Sequence, residues 1–148
     1  RGLGDVYKRQ ITLGVKDVKA SSAFYKKLGF ATPNTEDNPA IVFFNNGGTK
    51  LALYPLKMLA EDIDSSATPE LNTQFSGFTL AYNAKSKEEV DAIFADVESF
   101  GGKVIKNPQA VFWGGYSGYF RDLDGYYWEV AYAESWQFDE NDMLLITE

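Results

Sequence analysis

One acidic side chain in an otherwise apolar strand is the residue that most clearly suggests chemistry. Glu129 follows Trp128 and precedes Val130 in the segment "YWEVAY". Because successive side chains of a strand point to opposite faces, Glu129 takes the face opposite to both neighbours. If the Trp128 face packs against helices, Glu129 points into a cleft, where a carboxylate binds a cationic group or acts as a general base. A structural glutamate, hydrogen-bonded to a neighbouring side chain, is the alternative.

The residue types that are missing exclude several kinds of chemistry. The chain has no Cys and no His, which removes disulfides, thiolate metal sites and the commonest general base. Ser117 therefore lacks a histidine to activate it as a nucleophile. The formal net charge of −7 disfavours nucleic acids and anionic membranes as partners and favours neutral or cationic ligands. No apolar run approaches the roughly 18 residues that span a bilayer, so we expect a cytoplasmic protein.

The segment "VFWGGYSGYF", residues 111–120, is the second candidate for function. Adjacent glycines after Trp113 allow the backbone to kink or to approach another surface closely. Trp113, Tyr116 and Tyr119 would then line the mouth of a cleft and offer flat apolar area with polar tips to a ring-bearing ligand. Core packing, or a module or dimer interface, is the alternative for each of these aromatic residues.

The first half of the chain predicts the elements of one small module. Residues 11–16, "ITLGVK", have the β-branched content of a strand. Asp17 is placed as the N-cap of a helix that Gly29 ends in a left-handed conformation. Residues 45–48, "NNGG", then predict a hairpin turn between two further strands.

The second half predicts the same order of elements. Residues 77–83, "GFTLAYN", form a strand, and Ser86 with Glu89 forms a capping box at the start of a helix that Gly101 ends. Three more strands follow, the last two joined by a turn at residues 122–125, "DLDG". We interpret both halves as β-α-β-β-β modules, the first with three of its four strands assigned to residues, and this repeated order predicts two similar modules packed together.

This organisation divides the chain into a leader, a two-module domain and a tail. Residues 1–10 show no clear period and are expected to be non-native or disordered. Residues 11–134 form the domain, with modules at about 11–55 and 77–134 and a linker near 56–76. The acidic tail, residues 135–148, is either disordered or docked through its apolar residues 143–146 on a neighbouring surface.

Two segments resemble the opening and closing motifs of the vicinal oxygen chelate superfamily. "ITLGVKDVKASSAFYKKLGF" is similar to the first strand and helix of that family, and "FRDLDGYYWEVAY" is similar to its last turn and strand. The family includes glyoxalase I, extradiol dioxygenases, fosfomycin-resistance enzymes and bleomycin-resistance proteins, and the chain is most similar to a glyoxalase-like bacterial branch. The resemblance implies an α+β fold in which two tandem βαβββ modules form an eight-stranded, incompletely closed barrel-like sheet with a cleft.

The resemblance also implies where a metal would bind in catalytic members. The matching positions are Gln10, Ala52, Gly77 and Glu129. Only Glu129 is a strong ligand, since Gln10 offers a neutral amide and the other two offer no donor atom. We therefore expect no metal and no other cofactor, and a divalent ion held by a shifted set with Asp122 or Asp124 is disfavoured because those aspartates serve the turn.

The expected function is therefore metal-independent binding of a small molecule, as in bleomycin-resistance proteins. The ligand would be neutral or cationic and aromatic, and the protein a homodimer. The candidate ligand-binding residues are Gln10, Trp113, Tyr116, Tyr119 and Glu129. The alternative is a glyoxalase-like lyase or isomerase in which Glu129 is the catalytic base or a metal ligand. A non-catalytic regulatory module is a third possibility.

Overall fold

The chain divides into two compact units, Arg1–Leu71 and Asn72–Glu148. The computed structural model describes residues 10–66, 70–71 and 74–146. Residues 1–9, which make up most of the expected leader, lie outside the described residues. Gln10, the last residue of that leader, is the first residue of a strand.

The first unit is a three-stranded mixed sheet with two helices. Its elements are β1 (Gln10–Val15), α1 (Val18–Lys27), β2 (Val42–Phe44), β3 (Lys50–Pro55) and α2 (Leu56–Ile63). The strand order is β1-β3-β2, with β1 parallel and β2 antiparallel to β3. The register pairs Ala52 with Thr12 on one side and with Phe43 on the other, so these three residues share a face.

Short-range interactions explain why these elements begin and end where they do. The Asp17 carboxylate accepts a hydrogen bond from the backbone N–H of Ala20 at 3.1 Å, which caps α1 as the sequence predicts. Gly29, at φ 100°, ends that helix in the left-handed region that favours glycine. Gly47, at φ 85°, lies in the predicted β2–β3 hairpin turn. Local sequence therefore determines most of this unit.

Helix α2 occupies part of the segment that the sequence suggested to be a linker. Its N-cap position is Pro55, and no side chain caps it. The helix packs on β1 at Gly14, where a Cβ would lie 2.8 Å from Cδ1 of Leu56 and 3.2 Å from Cδ2 of Leu59. Tertiary packing against a bare backbone, rather than a capping signal, thus stabilises α2.

The second unit is a four-stranded mixed sheet with one helix. Its elements are β4 (Leu80–Asn83), α3 (Lys87–Val97), β5 (Lys103–Ala110), β6 (Gly115–Arg121) and β7 (Tyr127–Ala133). The strand order is β4-β7-β6-β5, in which β4 runs parallel to β7 and the other neighbours are antiparallel. Strand β7 is therefore flanked on both sides.

The predicted cap and turn of this unit are both present. Ser86 Oγ accepts from the N–H of Glu89 at 3.0 Å and so caps α3. In the β6–β7 turn, Asp122 Oδ1 accepts from the N–H groups of Asp124 and Tyr126, each at 2.9 Å. Gly125 provides the positive φ of 90° that the turn requires. Asp122 is thus committed to the turn, as the sequence suggests.

One face of the second sheet packs against α3. Phe94 of the helix contacts Phe120 edge to face, with ring centroids 5.9 Å apart, and Phe120 stacks on Trp128. Gly118 permits this approach, because a Cβ there would lie 2.8 Å from Cζ of Phe94. Val130, on the same face, is buried. We call this the helix face, and its side chains supply the core of the unit.

The described residues do not form the eight-stranded sheet that the family resemblance implies. They contain seven strands in two sheets, of three and four strands, and the α+β class is as expected. The segment between α1 and β2 adopts bends instead of a further strand. Pro33 and Pro39 in this segment lack the N–H that a strand needs for its ladder.

The C-terminal segment folds into a small hairpin on the second unit. Phe138 pairs with Leu144 across an antiparallel bridge, and the Asp139 carboxylate accepts from the N–H of Met143 at 3.0 Å. Lys85 forms an ion pair with Asp142 and lies 5.7 Å from the centroid of the Phe138 ring. The described part of the tail contacts the second unit through Trp136, Phe138 and Asp142, whereas Leu145 and Ile146 of its apolar segment are exposed.

The helices of the described chain are short. The longest, α3, has 11 residues, whereas a helix needs about 20 residues to cross a bilayer. None of the helices in residues 10–66, 70–71 and 74–146 is long and apolar enough to do so.

Candidate functional site

Glu129 lies in the middle of β7, on the sheet face opposite to the helix face. Its cross-strand neighbour in β6 is Tyr119, and the Tyr119 hydroxyl donates a hydrogen bond to Glu129 Oε2 at 3.0 Å. Both side chains are partly buried. Since Trp128 packs under α3, alternation directs Glu129 away from the helix, as the sequence predicts. We call this side of the second sheet the Glu129 face.

The second oxygen of the Glu129 carboxylate is left for another partner. Oε1 makes no hydrogen bond within the part of the chain that the structure describes. On the β4 side the register places Ala81 beside Glu129, so a single methyl group stands where a larger side chain would fill the space. The arrangement presents one carboxylate oxygen, fixed in orientation by the bond to the other.

The electrostatics of the pair favour a neutral tyrosine as donor. Burial raises the pKa of the Tyr119 phenol, and the hydrogen bond to Glu129 and the charge of that carboxylate raise it further. Tyr119 therefore keeps its proton at neutral pH and continues to donate to Oε2. A donor held in this way orients the carboxylate without neutralising it.

Three further residues of the Glu129 face were not singled out from the sequence. The Phe75 and Tyr127 rings meet edge to face, with centroids 5.7 Å apart. The guanidinium carbon of Arg121 lies 5.2 Å from the centroid of the same Tyr127 ring. Strand alternation in the sequence does place Tyr127 on the face of Glu129, whereas Phe75 precedes β4 and is brought here only by the fold. Aromatic surface thus lies next to the carboxylate.

Trp113 lies elsewhere in the second unit. Its ring stacks on Trp136 of the C-terminal hairpin, with centroids 5.9 Å apart, and covers Gly115, where a Cβ would lie 1.9 Å from Cζ3 of the ring. Gly115 pairs with Ala133, four register positions from the Tyr119–Glu129 pair, which is about 13 Å along the strands. The structure therefore does not bring Trp113 to Glu129.

Tyr116 belongs to the helix face. Its hydroxyl donates to Asp91 Oδ1 of α3 at 2.7 Å, and the Lys87 ammonium lies 5.6 Å from the centroid of its ring. The hydrogen bond to Asp91 raises the pKa of Tyr116, with burial and the charge of Asp91 adding to the effect. Of the three aromatic residues expected at the cleft mouth, only Tyr119 is the cross-strand partner of Glu129, because the Trp113 ring covers Gly115 further along the same face and Tyr116 is on the opposite face.

The four positions implied by the family's metal site do not fit a metal. Ala52 is completely buried and offers only a methyl group. Gly77 has no side chain and precedes β4 by three residues, with φ at 96°. The Gln10 amide donates to Thr12 Oγ1 at 3.0 Å, which leaves a neutral oxygen as its only ligand atom. The described residues hold no cluster of three or more His, Cys, Asp or Glu able to bind a metal.

Each unit contains one mixed sheet, and the last strand of the chain carries the Glu129 carboxylate. A family model described as the Glyoxalase/Bleomycin resistance protein/Dioxygenase superfamily matches residues 9–130. The chain belongs to this superfamily, which is the vicinal oxygen chelate group that its motifs resemble.

Several solved structures are similar to this chain. A glyoxalase-related enzyme from Fulvimarina pelagi is 28% identical, with a TM-score of 0.82 and coverage of 95% of this chain and 97% of that one. A lactoylglutathione lyase from Agrobacterium tumefaciens is 25% identical, with a TM-score of 0.60 and coverage of 88% and 96%. An enzyme of the superfamily from Burkholderia phytofirmans shares the fold at 20% identity, with a TM-score of 0.68 and coverage of 84% and 96%. No curated protein matches the chain.

Proposed function

We propose that the protein binds a small molecule without a metal, through the Glu129 face of its second unit. The ligand is neutral or cationic and carries an aromatic ring. Glu129 Oε1 accepts a hydrogen bond from, or pairs with, its polar group, while Tyr119 holds Oε2. The single observation that carries the proposal is the Tyr119–Glu129 hydrogen bond, which orients the carboxylate and leaves one oxygen unpartnered among the described residues.

The surroundings of the carboxylate support this class of ligand. Ala81 leaves space beside Glu129, and the Tyr127 and Phe75 rings offer apolar area on which a flat ligand packs. Metal independence is supported by the Ala52 methyl group and by Gly77, because neither can supply a donor atom.

Calorimetric titration against matched pairs of aromatic cations and their neutral analogues tests the proposal. Glu129→Gln keeps the size of the side chain but removes its charge, and we expect a loss of roughly tenfold or more in affinity for a cation, about 1.4 kcal/mol. Glu36→Gln, at an exposed position of the first unit, is the control for a lost surface charge. Equal affinity in the wild type and Glu129→Gln would refute the role of the carboxylate.

A glyoxalase-like lyase or isomerase is the second candidate, favoured by the similarity to the lactoylglutathione lyase from Agrobacterium tumefaciens. In this case Glu129 Oε1 takes a proton from a hydroxyl-bearing substrate carbon next to a carbonyl group and delivers it to the former carbonyl carbon, while the hydroxyl proton passes to the former carbonyl oxygen. Glu129 as a ligand of an unorthodox metal site is the variant of this candidate.

An assay for formation and breakdown of lactoylglutathione, with and without added divalent metal, distinguishes the two candidates. Turnover that is lost in Glu129→Gln while ligand binding persists would support the enzyme. Turnover only after metal addition would overturn metal independence. Binding without turnover under both conditions supports the first proposal.

A further inference from the structure

A groove of about 390 Å³ opens on the helix face of the second sheet, on the side away from Glu129. The first turn of α3, the turn between β5 and β6, and the ends of β6 and β7 line it. Tyr116 and Tyr132, which are cross-strand neighbours, are among the residues that line it. The volume lies within the range of small-molecule sites in proteins.

Two carboxylates of this groove have no partner in the structure. Glu88, in the first turn of α3, and Glu134, directly after β7, form no ion pair or hydrogen bond within the described chain. Lys87 is the only cation among the residues lining the groove, and its ammonium is placed over the Tyr116 ring. The groove therefore has an excess of negative charge, in a chain whose net charge is already −7.

One wall of the groove already holds an ammonium group. The Lys87 ammonium lies 5.6 Å from the centroid of the Tyr116 ring, within the distance of a cation–π interaction. The adjacent Tyr132 ring holds no cation from the described residues, and its hydroxyl has no hydrogen-bond partner among them. A second ammonium group would thus meet an aromatic surface of the same kind, in the groove that Glu88 and Glu134 also line.

We propose that this groove is a second binding site, for a small organic cation of the alkyl diamine or polyamine class. Glu88 and Glu134 pair with the ammonium groups, and the methylene chain packs on the Tyr132 ring. The site goes beyond the proposed function, because it uses the opposite face of the sheet and does not involve Glu129.

Calorimetric titration with spermidine at about 0.15 M salt tests this site, since long-range attraction to the net charge is then largely screened. We expect saturable binding that weakens about two- to fivefold in Glu88→Gln or Glu134→Gln and further in the double variant. Glu98→Gln, at the other end of α3, removes the same charge outside the groove and is expected to leave binding unchanged.

Backbone amide shifts of Gly114 and Gly115 on titration provide a second measurement, since both residues line the groove. Glu129→Gln separates the two proposals, because it is expected to leave spermidine binding intact. The inference is overturned if no saturable binding occurs, if Glu98→Gln weakens binding as much as Glu134→Gln, or if Glu129→Gln alone abolishes it.

Discussion

Replacing Tyr119 with Phe removes one hydrogen bond and nothing else from the Glu129 face. The bond joins the phenol to Glu129 Oε2 at 3.0 Å, and both side chains are partly buried. Hydrogen bonds to charged groups contribute about 1.5–3 kcal/mol, and partial exposure reduces that value. We therefore expect the free energy of unfolding to fall by about 1 kcal/mol, which moves a urea midpoint by ~0.5 M.

Tyr132→Phe is the matched control, because the Tyr132 hydroxyl has no partner among the described residues. We expect that variant to change the free energy of unfolding by less than about 0.5 kcal/mol. A double-mutant cycle of Tyr119→Phe with Glu129→Gln should show coupling of roughly 0.5–1 kcal/mol. Equal midpoints for the two Phe variants, or no coupling in the cycle, would refute the assignment of Tyr119 as the residue that orients Glu129.

Three further predictions concern packing and ionisation in the second unit. Gly118→Ala should lower the free energy of unfolding by about 1–3 kcal/mol in chemical denaturation. The reason is that its Cβ would lie 2.8 Å from Phe94 and 2.7 Å from the Lys106 carbonyl oxygen. A variant as stable as the wild type would contradict this close packing. Trp136→Ala should leave the urea midpoint of the core nearly unchanged but further expose the Trp113 ring, which is 44% exposed in the wild type, and so red-shift the fluorescence; an unshifted spectrum would contradict the stacking. Burial and the hydrogen bond to Glu89 raise the pKa of Tyr82 in the folded protein. The protonated Tyr82 phenol therefore contributes its full stabilisation below about pH 10, and this stabilisation is lost as the pH rises towards the pKa of Tyr82 in the folded protein. Urea midpoints measured across alkaline pH should fall more steeply in the wild type than in Tyr82→Phe, and parallel curves would contradict this.

The parts of the fold that the sequence predicts are those with a local cause. Asp17 and Ser86 each cap a helix through their own side chains, and Gly47 and Gly125 take the positive φ that their turns require. Helix α2 has no such signal, since no side chain caps it and it is held by packing on Gly14. Only the folded chain brings that pair of elements together, so the sequence alone suggested a linker.

The candidate site was predictable in part for a similar reason. Alternation along β7 places Glu129 opposite to Trp128, and the turn at residues 122–125 sets the register that brings Tyr119 to it. Tyr116 and Tyr119 are three residues apart, and an odd spacing in a strand puts two side chains on opposite faces. The aromatic residues of this segment therefore do not form one cluster, and Tyr116 lies on the face opposite to Glu129.

The stack of Trp113 on Trp136 also gives the protein an optical property. The two indole planes are 16° from parallel, with centroids 5.9 Å apart, and one ring belongs to the β5–β6 turn while the other belongs to the C-terminal hairpin. Because stacked indoles this close couple their electronic transitions, we expect the pair to give a split circular-dichroism band that separated indoles do not give. The third tryptophan, Trp128, is stacked on Phe120 in the core. We therefore expect the amplitude of this band to fall when the C-terminal segment that carries Trp136 separates from Trp113.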